Sequence, residues 1–296
     1  MTASRTTASG TTSGREERST PASGPVRAPL GRLLRSELRW VLRRPRTQIA
    51  LGLLALVPVL IGIGIAVAGS PGGGLLTQIA GNGLVLPVAA LSISLTLLLP
   101  LAVTMAAADA LAGESAHGTL RGLLLAPVSR TRLVLVKAVG VLTVAVSAVA
   151  AVTVLGIITG LALLGPSGST HGLLTLSGTE IGPGSALVRV SLAATWTVGQ
   201  LAAVGAVALA VSSATEHPLV VLAAVLGALI VFGVLSAIPA LDWLQPVLLT
   251  TGWFAIVDVL RDPLPLDGLA TSSLRAGCYL LIGLGLTLAR TATREA

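Results

Sequence analysis

The sequence is poor in charge, in aromatic side chains and in cysteine. Only 10% of the 296 residues are charged, whereas 53% are hydrophobic. A soluble globular chain carries roughly 25% charged residues, so an ordinary soluble domain is excluded. Four Trp, two Phe and one Tyr leave few side chains for aromatic belts at a membrane surface. The single cysteine, Cys278, excludes a disulfide within the chain and a cysteine-rich metal site.

The hydrophobic residues stand in long runs without charge. No Asp, Glu, Lys or Arg occurs in residues 47–108, 138–179, 190–215 and 217–241. Such runs leave no polar face for water, and a bilayer core needs only ~20 apolar helical residues. We therefore predict an all-α polytopic membrane protein with a transmembrane domain over residues 47–296. Its six transmembrane helices are predicted at about 48–68, 83–107, 133–164, 190–211, 218–238 and 271–289.

The distribution of basic residues predicts the orientation. With the N-terminus in the cytoplasm, sixteen Lys and Arg residues lie on the inner side and three, Arg189, Arg261 and Arg275, on the outer side. Because cytoplasmic loops carry the excess of positive charge, both termini are predicted to be cytoplasmic in a multi-pass protein of the plasma membrane. Residues 1–28 are rich in Ser, Thr, Gly, Ala and Pro, which predicts a disordered cytoplasmic tail.

The segment that precedes the first span is basic and amphipathic. In residues 29–46, leucines recur at three- and four-residue spacing with arginines between them. This pattern is typical of a helix that lies in the headgroup plane, and the alternative is a generic basic anchor beside a span. Anionic lipid explains these basic residues better than nucleic acid does. The interface residues of this helix are predicted to be Arg32, Arg35, Arg39, Trp40, Arg43 and Arg44.

The inner connection of residues 109–132 is the second informative segment outside the spans. A short leucine-rich helix is predicted from about 119 to 125, ended by Pro127, and Ser129 is a suitable N-cap for the third span. A short helix that projects an apolar face into the cytosol has nothing of its own chain to pack on. We therefore expect it to bind a protein partner.

The outer connection of residues 240–269 mixes apolar runs with four Asp residues and several breaks. It is too interrupted to span the bilayer and too apolar for a free loop. Short helices that dip into the outer leaflet would account for both properties. An ordered extracellular cap is the alternative.

The sequence offers little chemistry of its own. Its one lysine, Lys137, follows Val136, so the Gly-Lys-Ser/Thr of a phosphate-binding loop is absent. The three histidines, His117, His171 and His217, form no metal-binding motif. No acid or base stands in the middle of a predicted span, which argues against ion-coupled transport. We predict that the chain is not an enzyme and that energy for any pumping comes from elsewhere.

Two stretches, 36–63 and 109–137, resemble the permease subunits of type-2 ATP-binding-cassette transporters. The family pattern is an acidic residue, then Gly-Thr-Leu, a leucine-rich turn that here includes Leu124, and Pro-Val-Ser-Arg. The other matching positions are Glu114, Gly118, Thr119, Leu120, Arg121, Pro127, Ser129 and Arg130.

The resemblance implies that residues 29–46 form an elbow helix and that residues from about 114 to 125 form a coupling helix. It implies a homodimer or pseudo-dimer of six-span subunits, driven by two copies of a cytoplasmic ATPase subunit. ATP and Mg would bind to that partner, with no cofactor and no nucleic acid bound to this chain.

The function predicted from these features is a permease subunit that moves a hydrophobic or amphipathic substrate outward. Two alternatives remain open at this point. One is an integral membrane enzyme acting on lipid, which could use Asp242, Asp258, Asp262 and Asp267. The other is a non-transporting membrane anchor for an ATPase.

Overall fold

The computed structural model describes residues 43–68, 82–116, 130–165 and 173–293. The predicted tail, most of the elbow helix and most of the predicted coupling helix lie outside these residues. Seven α-helices, α1 to α7, are described: Pro45–Ala68, Leu86–Thr96, Leu98–Ala116, Arg130–Thr159, Pro183–Ala214, Pro218–Ser236 and Asp267–Thr293. Shorter elements are a 3-10 turn at Gly83–Val85, a π-helical turn at Gly160–Leu164, and two 3-10 helices at Pro239–Leu244 and Leu249–Leu260. A small antiparallel hairpin joins β1 (Leu173–Leu174) to β2 (Glu180–Ile181).

Five of the described helices are long and apolar enough to cross a membrane: α1, α4, α5, α6 and α7. The pair α2 and α3 forms a sixth candidate span, broken by a bend of 54°. The protein is therefore all-α and polytopic with five or six candidate spans, in the order that the charge-free runs predicted.

The second predicted span, 83–107, is not a straight helix. The helix breaks at Leu97, whose φ of −148° and ψ of −47° are not helical. Pro100 accounts for the position of the break, because its ring lacks an N–H and clashes with the carbonyl four residues earlier, at Thr96. The helix resumes as α3 from Leu98.

Residues 45–46 of the predicted elbow segment belong to α1, which begins at Pro45. Proline suits the first position of a helix, where its missing N–H would have no helical partner. The carbonyl of Arg44 accepts the first helical hydrogen bond, from the Gln48 N–H at 3.1 Å.

Helix α5 lies at the centre of the bundle. Some 56% of its span is buried, against 17% for α6 and 22% for α1 and α7. On α1 the exposed residues include Ile49, Leu53, Leu60 and Val67, which recur at helical spacing. Apolar faces of this kind suit lipid or a second subunit, because lipid tails are as apolar as leucine.

Glycines allow α4 to approach the start of α2. A Cβ added at Gly156 would lie 2.8 Å from the Cα of Pro87. Gly160 and Gly83 are in backbone contact, so neither could carry a side chain without movement. The two glycines of the pattern Gly156-x-x-x-Gly160 therefore pack within the bundle.

Candidate functional site: the base of the inner connection

The start of α1 and the end of α3 meet in an ion pair. The guanidinium of Arg44 lies 3.2 Å from a carboxylate oxygen of Asp109, and Arg46 lies 4.0 Å from the other oxygen. Arg46 and Asp109 bound the 62-residue run without charge, residues 47–108. The chain thus crosses the bundle and returns, and the charges at the two ends of that run pair with each other.

Lys137 brings α4 to the same place. Its side chain is only 4% exposed, and it lines a cavity of about 20 Å³ together with Arg44, Thr47 and Asp109. Burying a cation is costly unless polar or anionic groups compensate it. The cavity therefore marks a polar centre where α1, α3 and α4 converge.

Ser212 joins α5 to the same part of α3. Its hydroxyl accepts a hydrogen bond from the Ala112 N–H at 3.0 Å and donates one to the Ala108 carbonyl at 3.3 Å. In an α-helix these two backbone groups would bond to each other. The Ser212 hydroxyl therefore bonds to both backbone groups of the turn of α3 that contains Asp109.

These contacts surround the point where the chain enters and leaves the inner connection. Glu114 lies in the last turn of α3 and Arg130 is the first residue of α4. Of the predicted elbow residues, Arg43 is exposed and Arg44 bonds to Asp109. The other predicted site residues lie outside the described part of the chain: Arg32, Arg35, Arg39, Trp40, Gly118, Thr119, Leu120, Arg121, Leu124, Pro127 and Ser129.

Sequence reasoning did not select Asp109 and Lys137 of this polar centre, or Ser212 beside it. A signal existed for the first two, because each is the charged residue that ends or begins a long charge-free run. For Ser212 there was none, since a serine near the end of a span is common and only its position against α3 distinguishes it.

At the opposite end of the bundle, Arg189 of α5 holds a cap. We use the word cap for residues 173–181 and 239–262, which comprise the hairpin and the two 3-10 helices. The guanidinium of Arg189 donates to Asp262 at 2.8 Å and to the carbonyls of Val259, at 3.2 Å, and Arg261. One arginine thus fixes the end of the cap to the start of α5.

The hairpin is fastened to the same segment. The Thr179 hydroxyl donates to the second Asp262 oxygen at 3.1 Å, and the Leu176 N–H donates to the Leu260 carbonyl at 2.8 Å. The hydrogen bond from Arg189, followed by that from Thr179, holds the pKa of Asp262 below its ordinary value. Charge-assisted hydrogen bonds of this kind favour the ionised carboxylate.

Three of the four acids considered for lipid chemistry are engaged in local contacts. Asp262 pairs with Arg189, Asp258 lies 3.3 Å from Arg261, and Asp242 accepts from the Gln245 amide at 2.7 Å. Within the described residues, no group of three or more His, Cys, Asp or Glu side chains is placed to hold a metal ion.

The family assignment follows from comparison with known proteins. Residues 33–211 match the model of a family described as ABC-2 family transporter protein. That range is 179 of the 296 residues and includes both stretches on which the resemblance rested. No curated protein matches the chain. Membrane subunits of this family are typically non-catalytic and pair with ATPase subunits. The chain therefore belongs to the ABC-2 family and is a multi-pass membrane subunit of an ATP-binding-cassette transporter.

Proposed function

We propose that this chain exports a hydrophobic or amphipathic substrate as the permease half of a transporter powered by a separate cytoplasmic ATPase. In this proposal the inner connection of residues 109–132 is the docking site for the ATPase. Glu114, Arg121 and their neighbours up to Arg130 form the contact. The observation that carries the proposal is the polar centre at the base of this connection, where three helices are tied to α3.

The contacts at the base of the inner connection support a path by which the ATPase could move the transmembrane helices. Movement of the connection displaces the end of α3, which bonds to the elbow junction through Arg44 and to α5 through Ser212. Closure of the ATPase dimer would therefore shift α1, α3 and α5 together. Nucleotide drives such a change only through its different affinity for the two states of the transporter.

Charge supports the proposed orientation. With both termini in the cytoplasm, Arg44, Asp109 and Lys137 lie at the cytoplasmic surface, and the cap with Arg189 lies outside. Basic residues then stand on the side where membrane proteins concentrate them.

Substrate class and subunit arrangement are proposed from the apolar surfaces. The charge-free spans suit a cargo that partitions into the bilayer, and the direction is proposed from likeness to the family. Exposed leucine, isoleucine and valine side chains on α1 and α6 suit a homodimer whose two subunits bind two ATPase copies. The local pairing of Asp242, Asp258 and Asp262 reduces the support for a lipid-modifying enzyme.

The test uses the full chain purified with its ATPase subunit and reconstituted in vesicles that contain a fluorescent amphiphile. We expect the permease to stimulate ATP hydrolysis and ATP to drive the amphiphile across the bilayer away from the ATPase side. The variants E114Q and R121A should lower the stimulated hydrolysis severalfold. E216Q is the matched control, because Glu216 is exposed in the short connection between α5 and α6.

A different result would contradict each part of the proposal. Unchanged stimulation in both E114Q and R121A would overturn the coupling role of the connection. Stimulated hydrolysis without movement of any amphiphile would favour the anchor over the permease. Activity on lipid by the isolated chain, without ATP, would favour the enzyme.

A further inference from the structure

A pocket lies where the cap meets the start of α7. Its volume is about 680 Å³, and its walls are the second 3-10 helix of the cap, Leu249–Leu260, and α7 from Asp267 to Arg275. Because α7 is a candidate span that begins at Asp267, the pocket lies at the end of a span, at the depth of lipid headgroups. We call it the α7 pocket.

Charges of both signs line the α7 pocket. The charged residues in its wall are Asp258, Arg261, Asp267 and Arg275. Asp267, Thr271 and Arg275 follow one another at four-residue spacing on α7, which puts them on one face of the helix. Two acids and two bases favour a molecule that carries both charges over a simple anion or a simple cation.

Arg275 supplies a cation that no acid balances. Its side chain is half-buried, and its guanidinium donates to the Leu248 carbonyl at 2.7 Å. Among the residues that the structure describes, no carboxylate forms an ion pair with it. A partly buried cation is stabilised by an anion. The bond to Leu248 fixes the guanidinium at the wall of the pocket, where an anionic group that enters can bind it.

Asp267 supplies an anion at the other end of the same helical face. It is exposed, and within the described part of the chain its carboxylate has no hydrogen bond or ion pair. Asp258, in contrast, is paired with Arg261 at 3.3 Å. Asp267 and Arg275 are eight positions apart, or about 12 Å along the helix axis. Helical side chains lean toward the N-terminus, so the long side chain of Arg275 shortens the gap between the two charges.

Apolar side chains around the pocket indicate that the molecule is a lipid. Phe254 lines the pocket and is 82% exposed. Leu266 and Leu274, which adjoin the two charged ends of the helical face, are 59% and 73% exposed. Large apolar side chains that are this exposed at the end of a span suit acyl chains rather than water.

We propose that the α7 pocket binds a phospholipid whose phosphate is joined to a primary ammonium, as in phosphatidylethanolamine, from the leaflet on the cap side. The phosphate accepts from the Arg275 guanidinium, and the ammonium donates to the Asp267 carboxylate. The acyl chains lie against Phe254 and its apolar neighbours. Binding belongs to one subunit and needs no ATPase, so it goes beyond the transport function proposed above.

The probe is a phosphatidylethanolamine with a diazirine in its acyl chain near the ester carbonyl, added to phosphatidylcholine vesicles that contain the full chain alone. After illumination, mass spectrometry should place the label on peptides within residues 249–275. Unlabelled phosphatidylethanolamine should compete. Phosphatidylglycerol, which has the phosphate but no ammonium, should compete poorly. Glycerophosphoethanolamine, which has the headgroup but no acyl chain, should also compete poorly.

Substitutions at the two ends of the helical face test the two charges. D267N removes the anion and R275Q removes the cation, and we expect each to lower labelling about fivefold or more. R275K keeps a cation that binds phosphate, so it should label more strongly than R275Q. D242N is the control for D267N, because Asp242 is exposed in the cap and bonds to Gln245. R290Q is the control for R275Q, because Arg290 is exposed in the last turn of α7.

Thermal melting separates a binding role from a structural role. Phosphatidylethanolamine added to the detergent-solubilised chain should raise the melting temperature of the original chain more than that of D267N, since a ligand stabilises only a fold that binds it. Without added lipid, D267N should melt close to the original chain, because no contact of the Asp267 carboxylate is found within the described residues.

Four results would overturn the proposal. One is a large fall in the melting temperature of D267N together with a loss of labelling, which would make Asp267 a structural residue. The second is equal labelling of D267N and the original chain, and the third is equal labelling of R275K and R275Q. The fourth is equal competition by phosphatidylglycerol. Equal competition by glycerophosphoethanolamine would overturn the lipid as the source of the headgroup.

Discussion

At the scale of single residues, the carboxylate of Asp109 pairs with two arginines, and Asp109 lines the same cavity as Lys137. We expect D109N to lower the free energy of unfolding by about 1–3 kcal/mol, since it leaves partly buried cations without their anion. Denaturant unfolding of the purified chain measures this loss. D242N is the control, because Asp242 is exposed and bonds only to Gln245 among the contacts found for it. Equal stability of the two variants would show that Asp109 does not stabilise the cations around it.

The lowered pKa of Asp262 predicts that the stability of the fold depends on pH. Its pKa in the folded chain is below the ordinary value, so its carboxylate stabilises the fold at pH values above about 4. As the pH falls through the folded pKa, the carboxylate gains a proton and the stabilisation is lost. Melting temperatures of the original chain and of D262N should therefore differ at pH 7 and converge toward pH 3. A difference that stays constant over this range would contradict the role of the Arg189 pair.

Some contacts of single residues could be predicted from the sequence, and others could not. The pairing of Arg44 with Asp109 could be predicted from a helical hairpin flanked by opposite charges. The contacts of Arg189 with Asp262 could not, because the sequence assigned both residues only to an outer surface. The contact of Arg275 with the cap could not be predicted either, since hydropathy does not show which face of α7 the cap covers.

At the scale of helices, the hydrogen bonds of Ser212 to α3 lead to a prediction about coupling rather than stability. In S212A the Ala112 N–H can bond to the Ala108 carbonyl of its own helix, so the free energy of unfolding should change by less than about 1 kcal/mol. ATP hydrolysis stimulated by the permease should nevertheless fall, because α3 and α5 lose their polar link. The matched control is S213A, since the Ser213 hydroxyl donates only within its own helix, to Ala210. If S212A and S213A stimulate equally, the link does not transmit movement.

The crossing of α5 and α7 depends on the absence of a side chain at Gly283. We expect G283A to destabilise the chain by about 1–3 kcal/mol, because the added methyl group would press on the backbone of Ala206. G285A should instead be neutral or stabilising by up to about 1 kcal/mol, since its methyl group meets open space and alanine favours a helix. Thermal or denaturant unfolding of the pair checks this, and a similar loss in both variants would contradict the close contact.

Helices and their order were predictable because a span needs a long apolar run, and such runs are visible without tertiary information. The bend between α2 and α3 was not predicted, although Pro100 was visible, because the apolar pattern continues through it. The 3-10 helices of the cap were also beyond prediction, since their apolar positions match a half-inserted helix as well as an ordered cap.

At the scale of the whole molecule, the proposed orientation can be tested with the single cysteine removed. In a C278S background, a cysteine at position 242 should react with a membrane-impermeant maleimide added to intact cells, and one at position 216 should not. Both positions are exposed in the structure, so burial does not decide the result. Permeabilised cells are the control, in which both cysteines should react. The reverse pattern would place the termini outside and remove the basis for ATPase docking at the inner connection.

The break at Leu97 has a mechanical consequence. Helix α3 has 19 residues and is therefore a rod about 28 Å long, jointed to α2 at one end and continuous with the inner connection at the other. A sideways push of ~3 Å at the connection would tilt such a rod by about 6° around the joint. Meanwhile the start of α2 is held against α4 by the close contact of Pro87 with Gly156. We therefore expect the two halves of this broken span to move differently: α2 stays in place, and α3 tilts around the break at Leu97.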